Sequence, residues 1–383
     1  MGNGTARIGW IDEFKGFVLL LVCLYHVEQS FPCAEMGMLH LSALRMSAFF
    51  FISGMLFSTR RFPNFKDYFV HKTKVLLVPY ILLSLLFLAL DPVVYNFDLF
   101  PKAPRMMVMN IRPEIVTVWD YIYWNLAKIF VAGKSSIGSG PLWFVFTLYS
   151  VSLMFYGVQK IVPRRFIFFI SLASLAGGWF LYVNHIRLPL GIERDLTVLF
   201  FFANGWLCKG ATQSLSGNKL TQSFSGKNFR SAKNILTLAA AAIISFCAYA
   251  YIEIPDPNFS IMNNDLGKDF RIFVACSFFG IAGLVTTFVL ADRLPNIAPI
   301  RIIKGILRNI SRNALVILAV HWYILLVMRL LFHETFNKPG IAYLSIVVVT
   351  ALVIAAIPLF RCKLYKLLGK ERVSIRESLN IRD

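Results

Sequence analysis

Charge is scarce in this chain: only 15% of its 383 residues are Asp, Glu, Lys or Arg, against about 25% in an average soluble domain. Cysteine is sparse and unpatterned. The six, at positions 23, 33, 208, 247, 276 and 362, contain no CxxC pair, and most fall in apolar stretches where a thiol behaves as a small apolar side chain. A disulfide framework and a structural zinc site are thereby excluded, and no metal ligand set is expected. No periodic repeat is evident, and no second domain.

Hydrophobic residues make up 57% of the chain, which makes it a polytopic membrane protein. Apolar stretches long enough to cross about 30 Å of hydrocarbon as helices recur ten times. They run from Phe14 to Phe31, Leu41 to Phe57, Val75 to Leu90, Leu142 to Gln159, Phe166 to Val183, Leu196 to Cys208, Ile235 to Ile252, Ile272 to Ala291, Ala314 to Phe332 and Ile341 to Phe360. The expected fold is all-α, with both termini cytoplasmic, a membrane domain over 1–360 and a basic cytoplasmic tail over 361–383. The first stretch has no small-residue cleavage site and reads as a retained anchor.

Cationic loops mark the cytoplasmic side of a membrane protein. With ten spans and an inner N-terminus, 26 of the 39 Lys/Arg fall in inner segments and 11 in outer ones, while the acids divide 7 inside and 13 outside. Membrane orientation accounts for the whole positive excess, so nucleic-acid binding does not follow from it. Lys209 to Asn234 is rich in Ser, Gly and Lys and reads as a flexible inner connection. The outer segment from Asp91 to Gly140 holds an aromatic stretch, Trp119 to Phe130, suited to lying flat at the interface. Its Trp119, Tyr121, Tyr123 and Trp124 fit an aromatic belt more simply than a sugar platform.

Ionisable side chains within the spans are the functional candidates, because burying charge in lipid costs a few kcal/mol on the insertion scale. In the string IDEFKGFVLLLVCLYH, Lys15 and His26 are eleven residues apart. On a helix they share one face about 16 Å apart. Asp12 and Lys15, at i and i+3, also suit a solvated helix end, and His26 also suits a core hydrogen bond. Histidine is nonetheless the side chain best suited here to take a proton from a hydroxyl. His321 and Arg329, eight apart, share a face of the ninth span, and Arg45 lies near the outer end of the second. Ser53-Gly54 favours close helix packing over a nucleophile. Gly133-Lys134-Ser135 is not a phosphate loop, since position 128 is Lys where the first Gly belongs.

Three stretches, taken together, resemble the acyltransferase-3 family of integral membrane enzymes that O-acylate sugars. They are Lys15 with His26, where relatives carry Arg; the run Phe49-Phe50-Phe51-Ile52-Ser53-Gly54; and Lys72 and Lys74 ahead of Pro79-Tyr80. Leu142-Trp143-Phe144 and Ser311 through His321 are similar to later family segments, and the fucose-like branch looks closest. Two departures stand out: His71, Lys72 and Lys74 replace an Arg-x-x-Arg cluster, and Arg45-Met46-Ser47 replaces His-Met-Pro. Lysine lacks the bidentate fork of arginine on phosphate.

The resemblance implies acyl transfer, of acetyl foremost, from cytoplasmic acyl-CoA to a glycan or lipid-linked sugar hydroxyl in a bacterial inner membrane. It makes acyl-CoA a donor substrate and implies no permanently bound cofactor. It assigns His26, as general base or acyl carrier, with Lys15 and Asp12 to catalysis, and Lys72, Lys74, Ser53 and Gly54 to acyl-CoA. Arg45, Trp143, His321 and Arg329 go to the acceptor. The rival reading of the intramembrane His, Lys and Arg is a proton-coupled transporter or flippase, which a repeat or matching broken helices would favour.

Overall fold

The computed structural model describes residues 9–31, 33–60, 62–99, 107–215, 232–253, 259–295, 297–332 and 338–369. Among these residues there are helices and two isolated β-bridges but no strand. Helices are what an apolar solvent demands, because each satisfies its own backbone hydrogen bonds. In chain order they are α1 (Gly9–Ser30), α2 (Ser42–Leu56), α3 (Phe65–Lys72), α4 (Val78–Asn96), α5 (Val118–Phe130), α6 (Trp143–Ile161) and α7 (Ile167–Val183). There follow α8 (Ile192–Leu215), α9 (Ala232–Glu253), α10 (Phe270–Arg293), α11 (Ala298–Arg312), α12 (Ala314–Leu331) and α13 (Pro339–Pro358).

Each of the ten expected spans coincides with a helix. Eight of these helical stretches are long and apolar enough to cross a membrane by length and composition. The other two, α1 and α8, have 22 and 24 residues but carry charged side chains. Both sit inside the bundle, where their neighbours rather than lipid meet those charges. The periphery falls to α7, α9 and α13, which present Phe169, Phe180, Ile243, Ile244, Val347 and Ile354 outward.

Two local features depart from the sequence reading, and two further expected segments are described only in part. The third span is longer than its apolar core, because α3 and α4 join through a π-helical turn, Thr73–Leu77, into one helix over 65–96. Pro79 lacks the N–H that would bond the Val75 carbonyl, and its ring crowds that carbonyl, so the ladder widens just before it. Residues 298–312, expected as an inner loop, form α11, with Arg301, Lys304, Arg308 and Arg312 along one face and Ile302, Ile303 and Ile306 exposed on another. That arrangement suits a helix lying in the membrane surface. The Ser/Gly/Lys-rich connection lies mostly outside the described residues, with α8 continuing to Leu215 and α9 beginning at Ala232. Of the basic tail, 361–369 are described, and Leu368 is buried where turns pack against α4; 370–383 lie outside the described residues.

Helix α5 has 13 residues, too few to cross. It is started by a capping box in which Thr117 and Asp120 each accept the other's backbone N–H, and those bonds hold the Asp120 carboxyl below the usual carboxylate range. Trp119 and Tyr123 face outward, whereas Tyr121, Asn125 and Lys128 face the bundle.

Glycine sets the closest approaches. A Cβ on Gly54 of α2 would lie 1.9 Å from the Phe202 carbonyl oxygen of α8, and one on Gly205 of α8 would lie 1.9 Å from the Phe51 carbonyl oxygen of α2. On Gly16 of α1 it would lie 2.0 Å from the Leu307 carbonyl oxygen of α11. Small residues at these points let backbones touch. The α1–α11 contact is reinforced by Arg308, whose Nε and Nη2 donate to the buried Glu13 carboxylate at 2.9 and 2.5 Å.

Candidate active site

One face of α1 sets the geometry. Leu19, Val22, His26 and Gln29 recur at helical spacing and line a cavity of about 630 Å³, joined by Ser42, Arg45, Met46 and Phe49 from α2. Trp143 and Phe144 begin α6 and form another wall, while Leu318 and Trp322 of α12 form a third. The cavity runs to the end of the bundle opposite the N-terminus of α1, where the loops around Asn110, Lys134, Arg187 and Asn263 surround it.

His26 lies at the centre of the polar contacts. Its Nδ1 donates to Gln29 Oε1 at 3.3 Å, and because a carbonyl oxygen only accepts, this bond puts the ring hydrogen on Nδ1 and the lone pair on Nε2. His321 of α12 stands behind it, ring centroids 5.3 Å apart, and Trp322 meets it edge-on at 5.0 Å. His321 is fully buried; its Nδ1 donates to the Ile317 carbonyl at 2.6 Å, and its Nε2 has no hydrogen-bond partner. The neighbourhood therefore holds two imidazoles, each with its Nδ1 hydrogen committed.

Arg45 is buried with its guanidinium 3.9 Å from the Tyr25 ring centroid, and it donates to the Met38 carbonyl. Stacking on an aromatic face holds the group in one plane. Trp143 carries the Arg194 guanidinium 5.5 Å from its own ring centroid.

Lys15 shares the α1 stripe with His26 but lies one turn below Leu19, beyond the cavity. Its ammonium is 5.9 Å from the centroid of Phe49, a ring that also lines the cavity and packs edge-on against Phe144 at 4.5 Å. Lys72 approaches Lys15 closely enough for their charges to repel, and its Nζ lies 5.4 Å from the Tyr68 ring centroid. Phe49 thus adjoins both the cationic region and the cavity that holds His26.

Of the residues singled out from sequence, the structure brings His26, Arg45 and Trp143 to one cavity, with His321 touching His26. It brings Lys15 and Lys72 together outside that cavity. Asp12 is in the first turn of α1, Lys74 is exposed, and Arg329 is in the last turn of α12, none of them lining the cavity. Ser53 bonds the Phe49 carbonyl of its own helix, and Gly54 packs on α8. Among the described residues no three His, Cys, Asp or Glu converge as metal ligands.

Sequence reasoning weighed Gly133-Lys134-Ser135 only as a phosphate loop and missed that the loop Val131–Pro141 supplies Lys134, Ser135, Ser136 and Ile137 to the cavity wall. Four anchors fix it: Tyr80 Oη donates to the Ile129 and Lys134 carbonyls, Trp322 Nε1 to the Ile137 carbonyl, the Ile137 N–H to Asn125, and the Gly138 N–H to Asp91. Gly138 has no room for a side chain, since a Cβ would sit 1.8 Å from Asp91 Oδ1. Gln29 was findable, three residues after His26 on the same face.

The family profile Acyl_transf_3, described as an acyltransferase domain, matches residues 8–359. The chain belongs to this acyltransferase family. With the helical bundle, membership makes it a membrane acyltransferase and sets the carrier reading aside. Neither the curated proteins nor the solved structures offer a match.

Proposed function

We propose that this acyltransferase moves an acyl group, acetyl foremost, from cytoplasmic acyl-CoA to a hydroxyl of a glycan or lipid-linked sugar, with His26 as general base. The observation that carries the proposal is His26 itself: an imidazole lining a cavity within a membrane bundle, its Nδ1 hydrogen taken by Gln29 and its ring backed by His321.

The charge asymmetry of the loops makes the α11 end cytoplasmic. The CoA moiety, rich in phosphate, is drawn to Lys15, Lys72 and Lys74 at that end. Its pantetheine arm reaches past Phe49 toward His26, a rise of about 16 Å along α1. The acceptor arrives through the opposite mouth, where Arg45 and Trp143 meet it. His26 Nε2 takes the hydroxyl proton as the oxygen attacks the thioester carbonyl; the new C–O bond forms, the C–S bond breaks, and the proton leaves with the CoA sulfur. His321, pressed against the ring, positions it.

The test is release of CoA by membranes given acetyl-CoA and an acceptor extract. His26→Ala should lower it by about 10²-fold or more, the range of general-base catalysis, while the protein stays folded in the membrane. Undiminished release in that variant overturns the role of His26.

A further inference from the structure

Covalent connections set the depth of α11. The span before it, α10, runs to Arg293, and the span after it, α12, starts at Ala314, so only residues 294–297 and Asn313 separate α11 from two membrane-crossing helices. The charge asymmetry of the loops makes this end cytoplasmic. Helix α11 therefore lies at the level of the inner-leaflet headgroups.

Its sequence divides it into three sides. At about 100° per residue, Arg301, Lys304, Arg308 and Arg312 fall within one arc of about 80°, and the helix contains no Asp or Glu. Ile302, Ile303 and Ile306 fall within an arc of about 100° on the opposite side. Leu307 and Ser311 lie between the two and are buried. This third side meets α1, where the Leu307 carbonyl packs on Gly16 and Arg308 donates to the buried Glu13 carboxylate. Those contacts fix the rotation of α11 and leave the three isoleucines 55–61% exposed.

Each free side asks for a different part of the same partner. Isoleucines held outside the bundle at headgroup depth are covered by the boundary between headgroups and acyl chains. On the cationic side, Arg308 is answered by Glu13, whereas Arg301 is exposed and Lys304 Nζ donates to the neutral Ala291 carbonyl at 2.9 Å. A chain already held by ten helices gains little anchorage from an eleventh, so the cations matter for which headgroup they select.

We propose that α11 is a docking surface for anionic phospholipid of the cytoplasmic leaflet, with Arg301 and Lys304 on the headgroup phosphates and Ile302, Ile303 and Ile306 in the acyl boundary beneath them. Apolar area and charge then act together, as in interfacial helices that prefer anionic membranes. The binding is independent of the acyl-transfer reading.

The experiment is hydrogen–deuterium exchange of the purified full-length protein, one copy per nanodisc, in phosphatidylcholine alone and in phosphatidylcholine mixed with phosphatidylglycerol. A basic residue at an anionic surface is worth about fivefold in binding, about 1 kcal/mol. Amides of 298–312 should therefore exchange about fivefold or more slowly in the anionic bilayer, and the difference should shrink as salt rises. In the R301Q/K304Q variant the two bilayers should give equal exchange over 298–312. The H26A variant should keep the wild-type difference, which separates this proposal from the catalytic one. Equal exchange in both bilayers for the wild type, or slowing that persists in R301Q/K304Q, overturns it. Slowing that appears only with two copies per disc, whatever the lipid, makes a second copy the occupant and overturns it as well.

Discussion

The Lys15 ammonium lies 5.9 Å from the centroid of the Phe49 ring, and that same ring lines the cavity. Phe49 is 6% exposed and meets Phe144 edge-on, and in the transfer proposed above it serves as the partition between the cationic region and the histidines. Replacing it by alanine should open that partition to water. The expected outcome is acyl-CoA hydrolysis in the absence of acceptor, with coupled transfer reduced. The check is CoA release with and without acceptor, and unchanged hydrolysis would show that the ring does not seal the floor.

His321 tests the support given to His26. Phenylalanine at 321 fills similar space and removes a buried Nε2 that has no partner, so stability should change by less than about 1–3 kcal/mol, the cost of one unsatisfied buried group. Turnover should nevertheless fall, with the KM values for both substrates held. A drop in KM-dependent terms alone would instead make His321 a contact for substrate.

Asp91 bears on the cavity wall. Leucine at 91 strips the Gly138 N–H and the Tyr121 hydroxyl of their acceptor and leaves Lys128 without its neighbouring charge. Each group left unsatisfied costs about 1–3 kcal/mol, so the loop Val131–Pro141 should loosen. Kinetically, the acceptor KM should rise while the acyl-CoA KM stays near its original value; both are read from initial rates at varied concentrations of each substrate.

Much of this was written in the chain. Ten apolar stretches marked ten helices, and the eleven-residue offset put Lys15 and His26 on one stripe because α1 is unbroken from Gly9 to Ser30. Pattern reading failed where local and global signals part. The apolar residues of α11 alternate with cations and never form a long run, so a window tuned to spans overlooks them. The loop carrying Lys134 is separated in sequence from His26 by more than a hundred residues, and the Tyr80, Asp91, Asn125 and Trp322 anchors bring it over the cavity. Membrane orientation explained the net charge but could not show that Arg45, Lys128, Lys134 and Arg187 gather at one cavity.

Helix contact makes a further prediction. Alanine at Gly54 or Gly205 drives a methyl into a carbonyl of the partner helix, and overpacking of this kind costs about 1–3 kcal/mol or more. Both variants should lower the yield of monodisperse protein in detergent, and each should do so alone, since the two contacts lie at different points of the α2–α8 seam. Alanine at Gly157, which meets nothing within 4 Å, is the matched control and should leave the yield unchanged.

That seam has a mechanical meaning. Reciprocal backbone contacts leave α2 and α8 no slack to slide or rotate against each other, so this half of the molecule serves as a stator. In the proposed transfer, any rearrangement that brings two substrates to His26 falls to helices outside this seam.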